Sequence, residues 1–177
     1  KIIKQKYGVG RICVKCHTPL YGLLKLVKEI DELVQGDSAL PKFDAFVPIL
    51  SLPHIMGTEL STIPADVPYI TAKSDLVAKW KGELSSEGFK IGIVWAGAAG
   101  HKNDYNRSCP LKLFEPLMEL PGTVFYSLQK GRGGEELADC MRRHNNLIDL
   151  GNRISDFADT AAIMENLDLI ISVDTSP

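Results

Sequence analysis

The chain has 177 residues, enough for one large or two small domains, and a 45% hydrophobic content ample for a packed core. Its formal net charge is −2, with Lys and Arg spread along the chain, so no broad basic face is offered to nucleic acid or to an anionic membrane surface. No apolar run approaches the ~20 residues that span a bilayer, and the first ten residues lack the apolar core of a signal peptide, so a cytoplasmic location is expected.

The first residues read as the end of a helix, and the last, Ser172 to Pro177, stop just past an apolar strand, which suggests a piece of a longer chain. Arg11 to Cys16 is a strand candidate. Pro19 then opens a predicted helix with Leu20, Leu23, Leu24 and Val27 at helical spacing. Glu32 to Val34 and Asp44 to Val47 are further strand candidates, separated by the turn residues Gly36, Asp37 and Ser38. Pro53, Gly57, Pro64 and Pro68 mark Leu50 to Thr71 as a crossing segment between two domains.

A helix is predicted from Ser74 to Leu84, and beyond it strands and helices alternate more cleanly. Ile91 to Trp95 is a buried-strand run, followed by a polar loop from Gly97 to Arg107. A helix from Leu111 to Leu120, kinked at Pro116, leads to a strand from Thr123 to Leu128. The next helix places Leu137, Cys140, Met141 and His144 on one face, and the strand Leu147 to Leu150 follows it. Ser155 or Asp156 caps the last helix, with Phe157, Ala161, Met164 and Leu167 on its apolar face, and Leu169 to Val173 is the final strand. Helices of about ten residues between strands imply α/β architecture, with a parallel, doubly wound sheet.

Ligands of such sheets bind beyond the carboxyl ends of the strands, which selects three segments. In the first, Gly97 allows close backbone approach, Lys102 and Arg107 supply positive charge, and Ser108 stands where a helix would begin. This suits an anion, although the same composition fits a solvated surface loop. The second, Gln129 to Gly134, is glycine-rich and basic through Lys130 and Arg132, and also reads as a flexible turn. In the third, Asp174, Thr175 and Ser176 offer oxygens to a ribose, sugar or phosphate, or cap a helix.

Ile91 to Gly97, His101 to Asp104, Arg107 and Ser108, Ser127 to Gly131, Asp156 to Ala162 and Leu167 to Ser176, with Leu50 to Pro53 and Ile63 to Tyr69, together carry a family resemblance. The chain resembles the glycosyltransferase region of bacterial tetratricopeptide-repeat proteins, which is similar to the heptosyltransferases and has the GT-B fold of two Rossmann-like lobes. The resemblance implies that residues 1–72 are the second half of an acceptor-side lobe, 73–87 a connecting helix, and 88–177 the first half of a donor-binding lobe. It also implies a metal-independent transfer of sugar from a nucleotide-diphosphate sugar to a hydroxyl of a glycan or protein acceptor, with tetratricopeptide repeats on the same full-length chain. Arg107 and Ser108 would hold the donor diphosphate, Gln129 and Lys130 would lie near the nucleotide, and Asp174, Thr175 and Ser176 would begin the donor-binding motif. Gly97, Ala98 and Ala99 depart from the Gly-Asn-Pro common among relatives. The family's general base falls outside this chain, so no catalytic residue is assigned. No cofactor or metal is expected.

Two other readings remain. A non-catalytic nucleotide-sugar-binding module would keep the same loops. Cys13, Cys16 and His17 also fit Cys-x-x-Cys-His, the spacing of covalent haem attachment, against which stands their place in a strand candidate. His54, His101 and His144 are scattered and read as core or boundary residues. Asp156 and Asp159 read more readily as helix-start acids than as an acid/base pair.

Overall fold

The computed structural model describes residues 2–176. The chain divides after Thr71 into two compact units. In the first, α1 (Ile2–Tyr7) precedes β1 (Cys13–Cys16), α2 (Tyr21–Leu24) and β2 (Glu32–Gln35), with α3 (Leu52–Met56) following. Strands β1 and β2 pair in parallel, Cys13 opposite Glu32. Lys4 bonds Asp31, and Lys6 Nζ donates to the Met56 carbonyl at 2.8 Å, fastening α1 to the start of β2 and to the end of α3.

Two expectations fail here. The helix opened by Pro19 is only a 3₁₀ turn, Thr18–Leu20, followed by the four residues of α2. Gly22 weakens helix propagation, and the chain winds out through i→i−3 bonds, Leu26 to Leu23 and Val27 to Leu24. Asp44 to Val47 forms no strand. Pro41 and Pro48 flank it without N–H donors, and Phe43 and Phe46 instead meet edge-to-face at 6.1 Å, Phe46 being 79% exposed.

The second unit contains a four-stranded parallel sheet in the order β5-β4-β3-β6: β3 (Phe89–Val94), β4 (Thr123–Ser127), β5 (Leu147–Asp149) and β6 (Leu169–Ser172). Alternation along β3 splits the core. Ile91, Ile93 and Trp95 face a layer with Leu111, Phe114, Met118, Leu137 and Cys140. On the opposite face, Val94, Tyr126 and Leu128 pack with Trp80, Leu84, Leu150, Ile154, Ala162 and Ile163. The sheet is therefore covered on both sides, as a parallel sheet requires.

Helix α4 (Ser74–Glu83) packs on α8 (Phe157–Met164), where Trp80 Nε1 donates to buried Asp159 at 2.9 Å. Asp156 caps α8 by accepting from the Ala158 and Asp159 amides. The buried side of α8 is Ala158 to Thr160 with Ala162 and Ile163, shifted from the expected face, since Phe157, Ala161 and Met164 are only half-buried.

Between β3 and β4 the chain forms a 3₁₀ turn, Leu111–Phe114, which passes directly into α6 (Glu115–Met118). Pro116 lies in the first turn of α6, where its missing N–H costs nothing, so it marks this change of winding rather than a kink. Helix α7 (Gly134–Arg143) buries Leu137 and Cys140 but leaves Met141 exposed, and His144 ends the helix instead of lying on its face.

Candidate functional site

The chain runs β3, β4, β5 outward on one side and returns with β6 on the other side of β3. The strand order therefore reverses between β3 and β6, and ligands of such sheets bind in the crevice beyond the strands' carboxyl ends at that switch point. The loop after β3, which includes α5 (Asp104–Arg107), and residues 173–176 after β6 flank it, with the loop after β4 alongside.

Asp104 organises the first loop, and no sequence signal had singled it out as the hub. Its buried carboxylate accepts from Ser108 Oγ at 2.7 Å, pairs with Arg132, and lies 3.5 Å from Arg107 Nε. The Ser108 hydroxyl, helped by Arg132 and Arg107 against the opposing effect of burial, holds the Asp104 carboxyl below its ordinary range and therefore charged. Ser108 Oγ in turn accepts from the Gly97 amide at 2.9 Å. Ser108 ends α5 in an extended conformation, and the next winding starts at Leu111, so it does not stand at a helix N-terminus as the sequence suggested.

Arg107 bridges the loops after β3 and β6. Its Nη1 donates to the Asp174 carbonyl at 2.9 Å, and its guanidinium lies over Gly97, where an added Cβ would stand 2.6 Å from Nη2. A side chain at 97 would have to displace this guanidinium, the flexible end of Arg107. Arg107 Nε is buried without a hydrogen-bond partner. Lys102, Asp174 and Ser176 are exposed and Thr175 half-buried.

Gln129 is a clamp between neighbouring strand ends. Its Oε1 accepts from the Trp95 and Ala96 amides at 3.2 and 2.9 Å, and its Nε2 donates to the Ala96 carbonyl at 3.0 Å. Lys130 Nζ donates to the Ile154 carbonyl. Gly133, at φ 89°, sits so close to Trp95 that a Cβ would lie 2.9 Å from the indole, which explains the glycine in this loop. Gly97, Arg107, Ser108 and Asp174 are thus joined in one network around Asp104, while Gln129 and Lys130 are engaged by backbone groups and Lys102 stands apart from both.

The remaining sequence candidates resolve locally. Asp156 is a cap and Asp159 accepts from Trp80 and the Ser155 amide, so both are structural. His54 and His101 are exposed rather than at core boundaries, and His101 Nδ1 accepts from the Asn103 amide at 3.2 Å. Cys13 and Cys16 lie three residues apart within β1, which sends their side chains to opposite faces, and His17 is exposed. That arrangement does not converge on one haem edge.

The fold defines the class: the chain is α/β and GT-B-like, with parallel sheets. It is similar to E. coli ADP-heptose LPS heptosyltransferase II, with a TM-score of 0.68 at 11% identity over 98% of this chain and 72% of that one. In sequence it is 31% identical over 106 residues to protein FlbA of Caulobacter vibrioides, covering 54% of this chain and 17% of FlbA. No family model matches the chain. Among the described residues no helix is long and apolar enough to cross a membrane.

Proposed function

We propose that the crevice between β3 and β6 is the donor site of a glycosyltransferase and holds the diphosphate of a nucleotide-diphosphate sugar. The observation that carries this reading is Arg107, laid over Gly97 and tied to the Asp174 carbonyl across the switch point. Arg107 and Arg132 face the single carboxylate of Asp104, which leaves an excess of positive charge, and the ammonium of Lys130 meets only neutral carbonyls. Lys102, exposed in the same loop, adds a further cation. Such a site stabilises the charge that develops on a departing diphosphate while an acceptor hydroxyl attacks the anomeric carbon.

On this reading the second unit is the start of a donor-binding lobe and the first unit part of an acceptor-side lobe. The acceptor is a glycan or protein hydroxyl, tetratricopeptide repeats belong to the same longer protein, and the protein works in the cytoplasm. Asp104 is held by Ser108, Arg107 and Arg132 and is not free to act as a base, so the proton acceptor lies elsewhere in the whole protein.

That engagement of Asp104 also favours one alternative, a nucleotide-sugar-binding module without chemistry. Calorimetric titration with nucleoside diphosphates and sugar nucleotides tests both. Millimolar or tighter binding of one nucleotide, lost in Arg107→Ala, supports the donor site, and sugar release or transfer by the whole protein separates enzyme from binder. Absence of binding to the whole protein overturns both readings.

A further inference from the structure

A second cluster of chemically capable side chains lies at the other end of the same sheet. Glu115 and Met118 stand three apart on α6 and share its face, Cys140 is buried on α7, and His144 is the residue that ends α7. Helix α6 ends shortly before β4 begins, and His144 lies just before β5, which puts the cluster at the amino ends of these strands. The donor crevice is at their carboxyl ends. Asn146 fixes this corner by donating to the carbonyls of Met118 and Thr123 at 2.9 and 3.2 Å.

One ligand-type atom each from Glu115, Cys140 and His144 falls within 4.8 Å of the others. Cys140 is 1% exposed, and its Sγ lies 3.6 Å from Met118 Sδ, so the thiol has only a weak partner. Glu115 offers Oε1 to Arg143 at 2.5 Å, which leaves Oε2 facing His144 Nε2 at 3.5 Å. That is long for a hydrogen bond, yet it matches the ~3.4 Å that separates an oxygen and a nitrogen held tetrahedrally by Zn²⁺ bonds of about 2.0–2.1 Å.

We propose that Glu115, Cys140 and His144 form a site for a Zn²⁺-class divalent cation that clamps α6 to α7. One carboxylate oxygen, one imidazole nitrogen and one thiolate make a mixed ligand set typical of zinc, and water completes the tetrahedron on the side where Glu115 and His144 are 20% and 14% exposed. On binding, the Cys140 S–H bond breaks, its proton passes to solvent, and sulfur donates the freed pair to the cation, with no change of oxidation state. The cation is structural, because it lies away from the crevice, and its presence does not depend on the donor-site reading.

The test is titration of the reduced protein with Co²⁺, read by the near-ultraviolet thiolate-to-cobalt absorption and the visible bands of tetrahedral Co²⁺. One equivalent should bind, Zn²⁺ should bleach the spectrum, and Zn²⁺ should raise the melting midpoint. Cys140→Ser should abolish the near-ultraviolet band, and His144→Gln, at a half-buried position that tolerates change, should weaken binding by at least about tenfold. The double variant Cys13→Ser with Cys16→Ser should bind as the parent does. No cobalt spectrum in the parent protein, unchanged affinity in His144→Gln, or a band that follows Cys13 and Cys16 would each overturn the site. Nucleotide binding is measured separately, so failure here leaves the donor proposal standing.

Discussion

Arg107 Nη1 donates to the backbone carbonyl of Asp174 at 2.9 Å, joining the loop after β3 to the loop after β6 where the strand order reverses. One side chain thus bridges the two loops that flank the proposed donor site. Arg107→Ala is expected to weaken nucleotide binding by about tenfold or more, in line with the ~1.5–3 kcal/mol typical of a charged hydrogen bond. Arg107→Lys should recover little of the loss, since an ammonium cannot span Asp174 and a phosphate with the fixed geometry of a guanidinium. Calorimetry on the three proteins checks this. Full binding by Arg107→Ala would remove Arg107 from the site.

Asp104 gives the loop a defined response to acid. Its folded-state pKa is depressed, with the Ser108 hydrogen bond the leading cause. Its contribution to stability is therefore fully present above the unfolded carboxylate value of about 3.9 and is lost as the pH falls from there through the lower folded value. In Asp104→Asn that pH-dependent contribution should disappear and stability at neutral pH should drop, because Arg107 and Arg132 are left facing each other without a counter-charge. Urea unfolding from pH 7 to 2 should show the two proteins converging at the acid end. Parallel curves would mean that Asp104 is no more ionised in the fold than out of it.

Much of the second unit was legible because a parallel sheet buries both faces and prints continuous apolar strands such as Ile91 to Trp95. The positions of Gly97 and Arg107 near a strand end were legible for the same reason. Asp104 was visible as a residue but not as a hub, since its partner Arg132 lies 28 positions away and only the fold brings them together. Asp44 to Val47 misled because a short apolar run forms a strand only where a neighbouring edge accepts its hydrogen bonds. Cys140 and His144 appeared to be one apolar helix face, and the contribution of Glu115 from another element had no local trace.

Two glycines in the loops beyond β4 and β5 should behave oppositely. A Cβ on Gly151 would stand 2.0 Å from the Gln129 carbonyl oxygen, a backbone atom that cannot swing aside as a side-chain end can. Gly151→Ala should cost on the order of 2–4 kcal/mol, the range of a core substitution that forces backbone apart. Gly134 opens α7 with no atom within 4 Å of an added Cβ, and Gly134→Ala should be neutral or stabilise by up to about 1 kcal/mol. Denaturant midpoints decide this. A mild Gly151→Ala would show that the loop after β5 yields easily.

Gln129 and Lys102 were both read as nucleotide-site residues, but their surroundings assign them different costs. Gln129 is buried and serves the amides of Trp95 and Ala96 as well as the Ala96 carbonyl, so Gln129→Ala strands several backbone groups. The expected destabilisation is about 1–3 kcal/mol, with any loss of nucleotide affinity following from a loosened β3 end. Lys102 is exposed, and Lys102→Ala should leave the melting midpoint unchanged while lowering affinity two- to fivefold, about 0.4–1 kcal/mol for an exposed ion pair. That loss should shrink further as salt is raised, because exposed charges are screened within about 10 Å at 0.1 M. Thermal melts and titrations at two salt concentrations separate the roles. If Gln129→Ala lost affinity with no change in stability, Gln129 would be a ligand-contacting residue, and the clamp between Trp95, Ala96 and Gln129 would be dispensable to the fold.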